Sequence, residues 1–249
     1  MFQYYFTQSA YIPPGIGFRH YGPLHLAWLV GILFFCIWIC RYYRRLPVGK
    51  RRLFQKRLCV LMLLMEAYKY TILIATGTFS AWYLPFHLCS MAVFISSFHA
   101  FHPTDASAQL LYSLCLPGAA AALLFPDWVE YPLINFMHLH SFLIHGLLVA
   151  YPCMLLYSKE LRPQVRSLWK CALFLLLVAP PVYLFNKMFH TNFLFINRPS
   201  AGSPLSWMAA WLGNPGYLLG YGVLLLLVWT LLYLPFFHSA RQIKRERRP

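Results

Sequence analysis

Leu58–Phe79 reads LCVLMLLMEAYKYTILIATGTF. A helix that crosses the hydrocarbon core of a bilayer needs about 20 mostly apolar residues. This run meets that length and carries charge only at Glu66 and Lys69. Lipid offers no partner to a bare peptide group, so a run of this kind has to be helical. Six further stretches satisfy the same test: Leu24–Cys40, Tyr83–Phe101, Ala108–Phe125, Ile134–Tyr157, Leu168–Asn186 and Pro215–Phe237. The expectation is an all-α, polytopic bundle of seven transmembrane helices in a single domain, residues 1–249. Short connections make the second to fifth helices antiparallel neighbours. The long loop 187–214 is apolar and aromatic, with Phe193, Phe195, Trp207 and Trp211, and is expected to lie in the interface or dip back into the bundle.

Composition agrees. The chain is 60% hydrophobic and 11% charged, whereas a soluble domain carries about 25% charged residues. It holds 21 Lys and Arg against 6 Asp and Glu. In a soluble protein that balance would point to nucleic acid. Here the basic residues fall between apolar runs, which is the pattern set by insertion and by anionic lipid, so nucleic-acid binding is excluded. Eight lie in Arg41–Arg57, then come Lys159, Arg162 and Arg166, then Arg241, Lys244, Arg245, Arg247 and Arg248. With seven spans those sixteen share one side, against Arg19, Lys187 and Arg198 on the other. The rule places the C-terminus in the cytoplasm and the N-terminus outside, as a multi-pass protein of the cell membrane. The first 23 residues lack the pattern of a signal peptide. The 7 cysteines show no CxxC or metal-type spacing, so neither a disulfide framework, a metal nor a cofactor is expected. No internal repeat is visible, which counts against an inverted-repeat transporter.

Polar groups at membrane depth mark functional candidates. Cys89 sits in LPFHLCS, Leu84–Ser90, and His145 in HSFLIHG, His140–Gly146. Each is thirteen residues from the end of its run, at His102 and Ser158, or ~20 Å along a helix. A thiol becomes an effective nucleophile when a neighbouring imidazole takes its proton. A Cys–His pair at matched depth therefore suggests acyl transfer through a thioester, on substrates that already dissolve in the bilayer. Each residue alone is more often a buried structural group. Glu66 and Lys69 form an i,i+3 pair that either neutralises itself or lines a wet cavity, and Tyr70 adjoins it. His87 stands two positions before Cys89 and on a helix would point roughly the other way, unless Pro85 distorts the LPFH turn. His138 shares a face with His145, whereas His140 points away from both. Asn192 and Arg198, in HTNFLFINRP, are candidates for holding a head group.

Five motifs follow one another: LPFHLCS, LYSLCLPGAAAALLFPDW, SFLIHGLLV, TNFLFINRPSAGSPL and LGNPGYLLG. In this order the chain resembles, from about Phe18 to Tyr221, the family that joins bacterial YwaF-like integral membrane proteins to animal transmembrane protein 164. The resemblance implies a multi-helix membrane protein. Its animal branch acts as an acyltransferase on lysophospholipids, with a cysteine acyl intermediate and a catalytic histidine. By motif these roles fall on Cys89 and His145. The expected function is a lipid acyltransferase or transacylase on phospholipid or lysophospholipid, with Glu66, Lys69, Tyr70, His87, His138, Asn192 and Arg198 orienting or binding substrate. The alternative is a transporter of small molecules or lipids that uses the buried Glu, Lys and His residues.

Overall fold

The computed structural model describes residues 2–246, with side chains through Phe236. The basic tail from Arg241 onward, and His238, lie outside the described side chains. The described residues form helices and loops, with no strand among them. We number the helices α1 (Pro23–Arg45), α2 (Val48–Ala75), α3 (Leu88–Phe101), α4 (Asp105–Leu124), α5 (Phe136–Tyr157), α6 (Leu168–Phe189), α7 (Pro204–Leu212) and α8 (Tyr217–Glu246). Six of them (α1, α2, α4, α5, α6 and α8) have the length and apolarity to cross a membrane. The protein is a multi-pass integral membrane protein built for a lipid bilayer.

The seventh apolar stretch differs from its expected form. A helix over Tyr83–Phe101 was expected, but α3 spans 14 residues and begins at Leu88. Pro85 is the cause: the residue before a proline is driven out of helical geometry. Leu84 accordingly has ψ 150°, and His87 remains extended at φ −72°, ψ 147°. Cys89 is therefore in the first turn of a helix rather than halfway along one.

Helix α5 is the central element, packed against α1, α2, α3 and α4. Gly146 allows the approach of α1, because a Cβ there would lie 3.3 Å from Ile32 Cγ1. The outer faces keep their apolar residues exposed, among them Phe34 and Trp38 on α1, Leu176 and Leu177 on α6, and Leu226 and Leu227 on α8. Water would penalise such a surface, whereas lipid tails solvate it.

Polar residues tie the helix ends together. At the basic end Tyr43 donates to Glu160 Oε2 at 2.6 Å, Gln55 Nε2 donates to the Tyr43 hydroxyl at 2.6 Å, and Arg51 pairs with Glu160 at 3.1 Å. At the opposite end the N-terminal segment straps the loop before α5. There the Phe18 amide donates to Val129 O, His20 Nε2–H to Pro126 O, and Asn135 Nδ2 to Tyr4 O.

Helix α4 carries a π-helical turn at Leu111–Cys115. Such a turn frees backbone carbonyls from the regular ladder. Ser113 O accepts from Trp229 Nε1 at 2.9 Å. Around it Tyr112 donates to Leu232 O at 2.6 Å, and the Ser113 and Tyr233 hydroxyls lie 2.8 Å apart. These bonds fasten α8 to the middle of α4.

Candidate active site

A cavity of about 620 Å³ opens among α2, α3, α4, α5, α8 and the loop before α7. That volume is within the usual range of small-molecule sites, ~300–1,000 Å³. Five elements bring chemistry to it. Helix α2 supplies Glu66 and Lys69, the start of α3 supplies His87, Cys89 and Ser90, and α5 supplies His140, Ser141 and His145. The FPDW loop adds Asp127 and Trp128, and the long loop adds Ser200 and Ser203. The remaining wall is apolar, from Leu116 to Phe125 on α4 and from Leu224 to Leu232 on α8.

The two leading candidates line the same cavity. Cys89 follows an N-terminus that has no side-chain cap, and the first backbone N–H groups of a helix lack intrahelical partners. Gly118 leaves room beside this turn, since a Cβ on it would meet Leu88 Cδ2 at 2.8 Å. His145 donates from Nδ1 to Ser141 O at 2.6 Å. In the neutral ring that bond leaves the lone pair on Nε2, which has no hydrogen-bond partner among the described residues. The ring stacks on Trp128, with centroids 5.0 Å apart and planes 19° from parallel. His145 thus has a held tautomer, a supported face and an open basic nitrogen.

Glu66 and Lys69 are bonded at 2.6 Å, and His140 Nε2 lies 3.3 Å from the other Glu66 oxygen, in ion-pair range but outside hydrogen-bond alignment. All three are buried. The helical reading turned His140 away from His138 and His145, and the cavity reaches round α5 far enough to include both His140 and His145. His87 also differs from its helical reading. As the extended residue ahead of α3 it faces the cavity with Cys89, flanked by Phe193 and Phe195 at ring distances of 4.9 and 5.4 Å.

Four other candidates stand outside the lining. Tyr70 donates to Tyr83 O at 2.8 Å and lies under the Lys69 ammonium. His138 accepts from Trp28 Nε1 at 2.9 Å and donates from Nδ1 to Tyr131 O at 3.1 Å, so both nitrogens brace the fold. Asn192 accepts the Asn197 and Arg198 amides and donates to Arg198 O, which folds its own loop. Arg198 lies 5.9 Å from the Trp82 ring.

The loop 187–214 dips into the bundle. Asn186 is fully buried, donates to Phe193 O, and accepts from the Phe193 amide and the Thr191 hydroxyl. This clamp carries Leu194 and Phe195 into the cavity wall, with positive φ of 58° and 53°. Non-glycine residues rarely hold such values, and they persist only where the surroundings enforce them. Tyr217 adds a 2.7 Å bond to Phe195 O.

Asp127 escaped sequence reading because nothing in FPDW marks it as part of a cavity. Its carboxyl has exposed surface, but that surface is surrounded by protein inside the pocket. This desolvation raises its pKa above the ordinary carboxylate value, with Glu130 adding to the rise and its own backbone N–H opposing it. Ser200, Ser203 and Tyr221 were likewise invisible as members, for only tertiary packing brings them to the cavity that Cys89 lines.

A family model described as the TMEM164 family matches residues 16–233. The chain belongs to that family. The match runs from before α1 into α8, so every element that lines the cavity falls within the TMEM164 region. No curated protein and no solved structure shows significant similarity to the chain.

Proposed function

We propose that the protein is a membrane-embedded lipid acyltransferase or transacylase that works through an S-acyl-Cys89 intermediate. The observation that carries this reading is the common placement of Cys89 and His145 on one cavity with a polar side and a long apolar wall. His145 Nε2 takes the thiol proton as Sγ attacks the ester carbonyl of a phospholipid donor. The tetrahedral oxyanion is met by the free N–H groups of the first turn of α3. Collapse breaks the ester C–O bond, and the imidazolium returns the proton to the leaving lysophospholipid oxygen. In the second half the acceptor hydroxyl gives its proton to Nε2 and attacks the thioester, and the Cys89 sulfur leaves and is reprotonated. The Glu66–Lys69–His140 cluster holds charge beside the head groups.

The test is direct. Purified protein incubated with a phospholipid donor should gain one acyl mass, which hydroxylamine removes, and Cys89→Ala should gain none. Acylation unchanged in Cys89→Ala rejects the nucleophile. Free fatty acid as the sole product would convert the reading to a hydrolase. We also infer seven crossings in the cell membrane, α3 completing its passage with the extended segment before it, with the N-terminus outside. Thiol labelling of single-cysteine variants at the chain ends, in intact and opened cells, checks this.

A second reading rests on the buried Glu66–Lys69–His140 cluster, which suits ion-coupled transport. Uptake into proteoliposomes that survives Cys89→Ser but is lost in Glu66→Gln would favour it.

A further inference from the structure

Helices α4 and α8 are joined by hydrogen bonds at one level. The fastening is the π-turn, where Tyr112, Ser113, Trp229 and Tyr233 exchange the hydrogen bonds described above. The last turns of α4 pack most closely against α5, and α8 packs most closely on α7. The cavity is lined by both α4 and α8 and is partly open. On α8 its wall is Tyr221, Leu224, Val228 and Leu232, spaced three or four apart along one face, a stripe ~16 Å long at the helical rise. On α4 the lining runs through small residues, Gly118, Ala120 and Ala121, between Leu116 and Leu124, and Ala121 remains exposed. A second observation is independent of this shape. At the polar side of the same space His145 is nine-tenths buried and presents an unpartnered Nε2.

We infer that the crevice between α4 and α8 is a lateral doorway that admits the fatty acyl tail of a membrane phospholipid from the bilayer into the cavity. The chemistry of the walls selects that occupant. Both helices are membrane-spanning by length and apolarity, so the opening faces hydrocarbon rather than water. A narrow apolar wall that leads to thiol, imidazole and carboxylate groups matches a ligand with a long tail and a polar head. Small residues on α4 leave the width of a polymethylene chain, and the π-turn hydrogen bonds lie along the end of the crevice that Leu232 lines. The inference shares its cavity with the acyl-transfer reading but needs no chemistry at Cys89.

The experiment uses the full chain in phosphatidylcholine vesicles that contain a phosphatidylcholine with a diazirine near the tail terminus. After illumination, label should concentrate on Leu224, Val228 and Leu232 of α8 and on Leu116–Ala121 of α4. Ala121→Trp or Leu224→Trp, each shown to remain monodisperse, should lower that labelling about tenfold or more by filling the crevice. Leu226→Trp, on the lipid-facing side of α8, should leave it unchanged. In Cys89→Ala, which can form no thioester, the photolabel should still concentrate on the same α4 and α8 residues, which separates this outcome from any failure of acyl transfer. Label spread equally over Val223, Leu226 and Leu227, or insensitive to both crevice tryptophans, would overturn the doorway.

Discussion

The imidazole of His145 lies nearly flat on the indole of Trp128, and that indole buries its N–H without a hydrogen-bond partner. The stack orients the ring while contributing nothing polar. Trp128→Ala should let the ring tilt, and displacement of about 1 Å costs on the order of a hundredfold in rate. Trp128→Phe retains an aromatic plate and abandons no hydrogen bond, so turnover should stay within about threefold of wild type, under 1 kcal/mol of barrier. Single-turnover acylation of Cys89 measures both. Equal loss in the two variants would mean that the indole N–H, not the stack, matters.

The Glu66–Lys69 pair is a test of charge burial. Both side chains are about nine-tenths buried. Lys69→Met strands a carboxylate with only His140 beside it and should cost about 3–5 kcal/mol. Combining it with Glu66→Gln removes the stranded charge, so the double variant should recover most of the loss. Thermal unfolding in detergent reads all three proteins. A double variant no more stable than Lys69→Met would sink the account.

The lock at the basic end separates a buried bond from an exposed one. Tyr43 is fully buried between Gln55 and Glu160, whereas the Arg51–Glu160 pair is partly solvated. Tyr43→Phe should destabilise by about 1–2 kcal/mol. Arg51→Met removes a partly solvated ion pair, itself worth less than about 1 kcal/mol, along with bonds to the Leu46 and Arg44 carbonyls at the same solvated surface, and should cost less than Tyr43→Phe. Chemical denaturation should rank them in that order.

Asp127 predicts a pH dependence. Burial raises its carboxyl pKa in the folded state, so ionisation above that value costs stability, and the cost vanishes at low pH where the group is protonated in both states. Asp127→Asn should therefore gain stability over wild type at pH 8 and lose that advantage toward pH 4. A gain equal at both pH values would show that the carboxylate is not desolvated.

The apolar runs were legible because lipid imposes one demand, a satisfied backbone behind an apolar surface, on every spanning residue. Six helices therefore overlap the runs that hydropathy picked out, though α2 starts within the basic flank at Val48 and stops at Ala75, and α8 runs on past Phe237 into the basic tail. The start of α3 was misplaced because hydropathy cannot see that Pro85 in LPFH stops helical geometry. His140 was not among the site candidates for a related reason: an angle about one helix axis says nothing of how far a cavity wraps around it. Asn192 read as a head-group ligand, yet its amide is used by neighbouring peptide groups, a local competition that spacing cannot reveal.

By itself the amino-acid order determined the solvent, the helices and which polar groups stand as candidates, since hydropathy, proline and charge act along the chain at short range. Only the tertiary structure decided that Cys89, His87, His140, His145, Asp127 and the Glu66–Lys69 pair share one chamber, and that Tyr70, His138, Asn192 and Arg198 stand outside it. Those choices depend on contacts between residues far apart in sequence, where the angle at which two helices part sets what a side chain can reach.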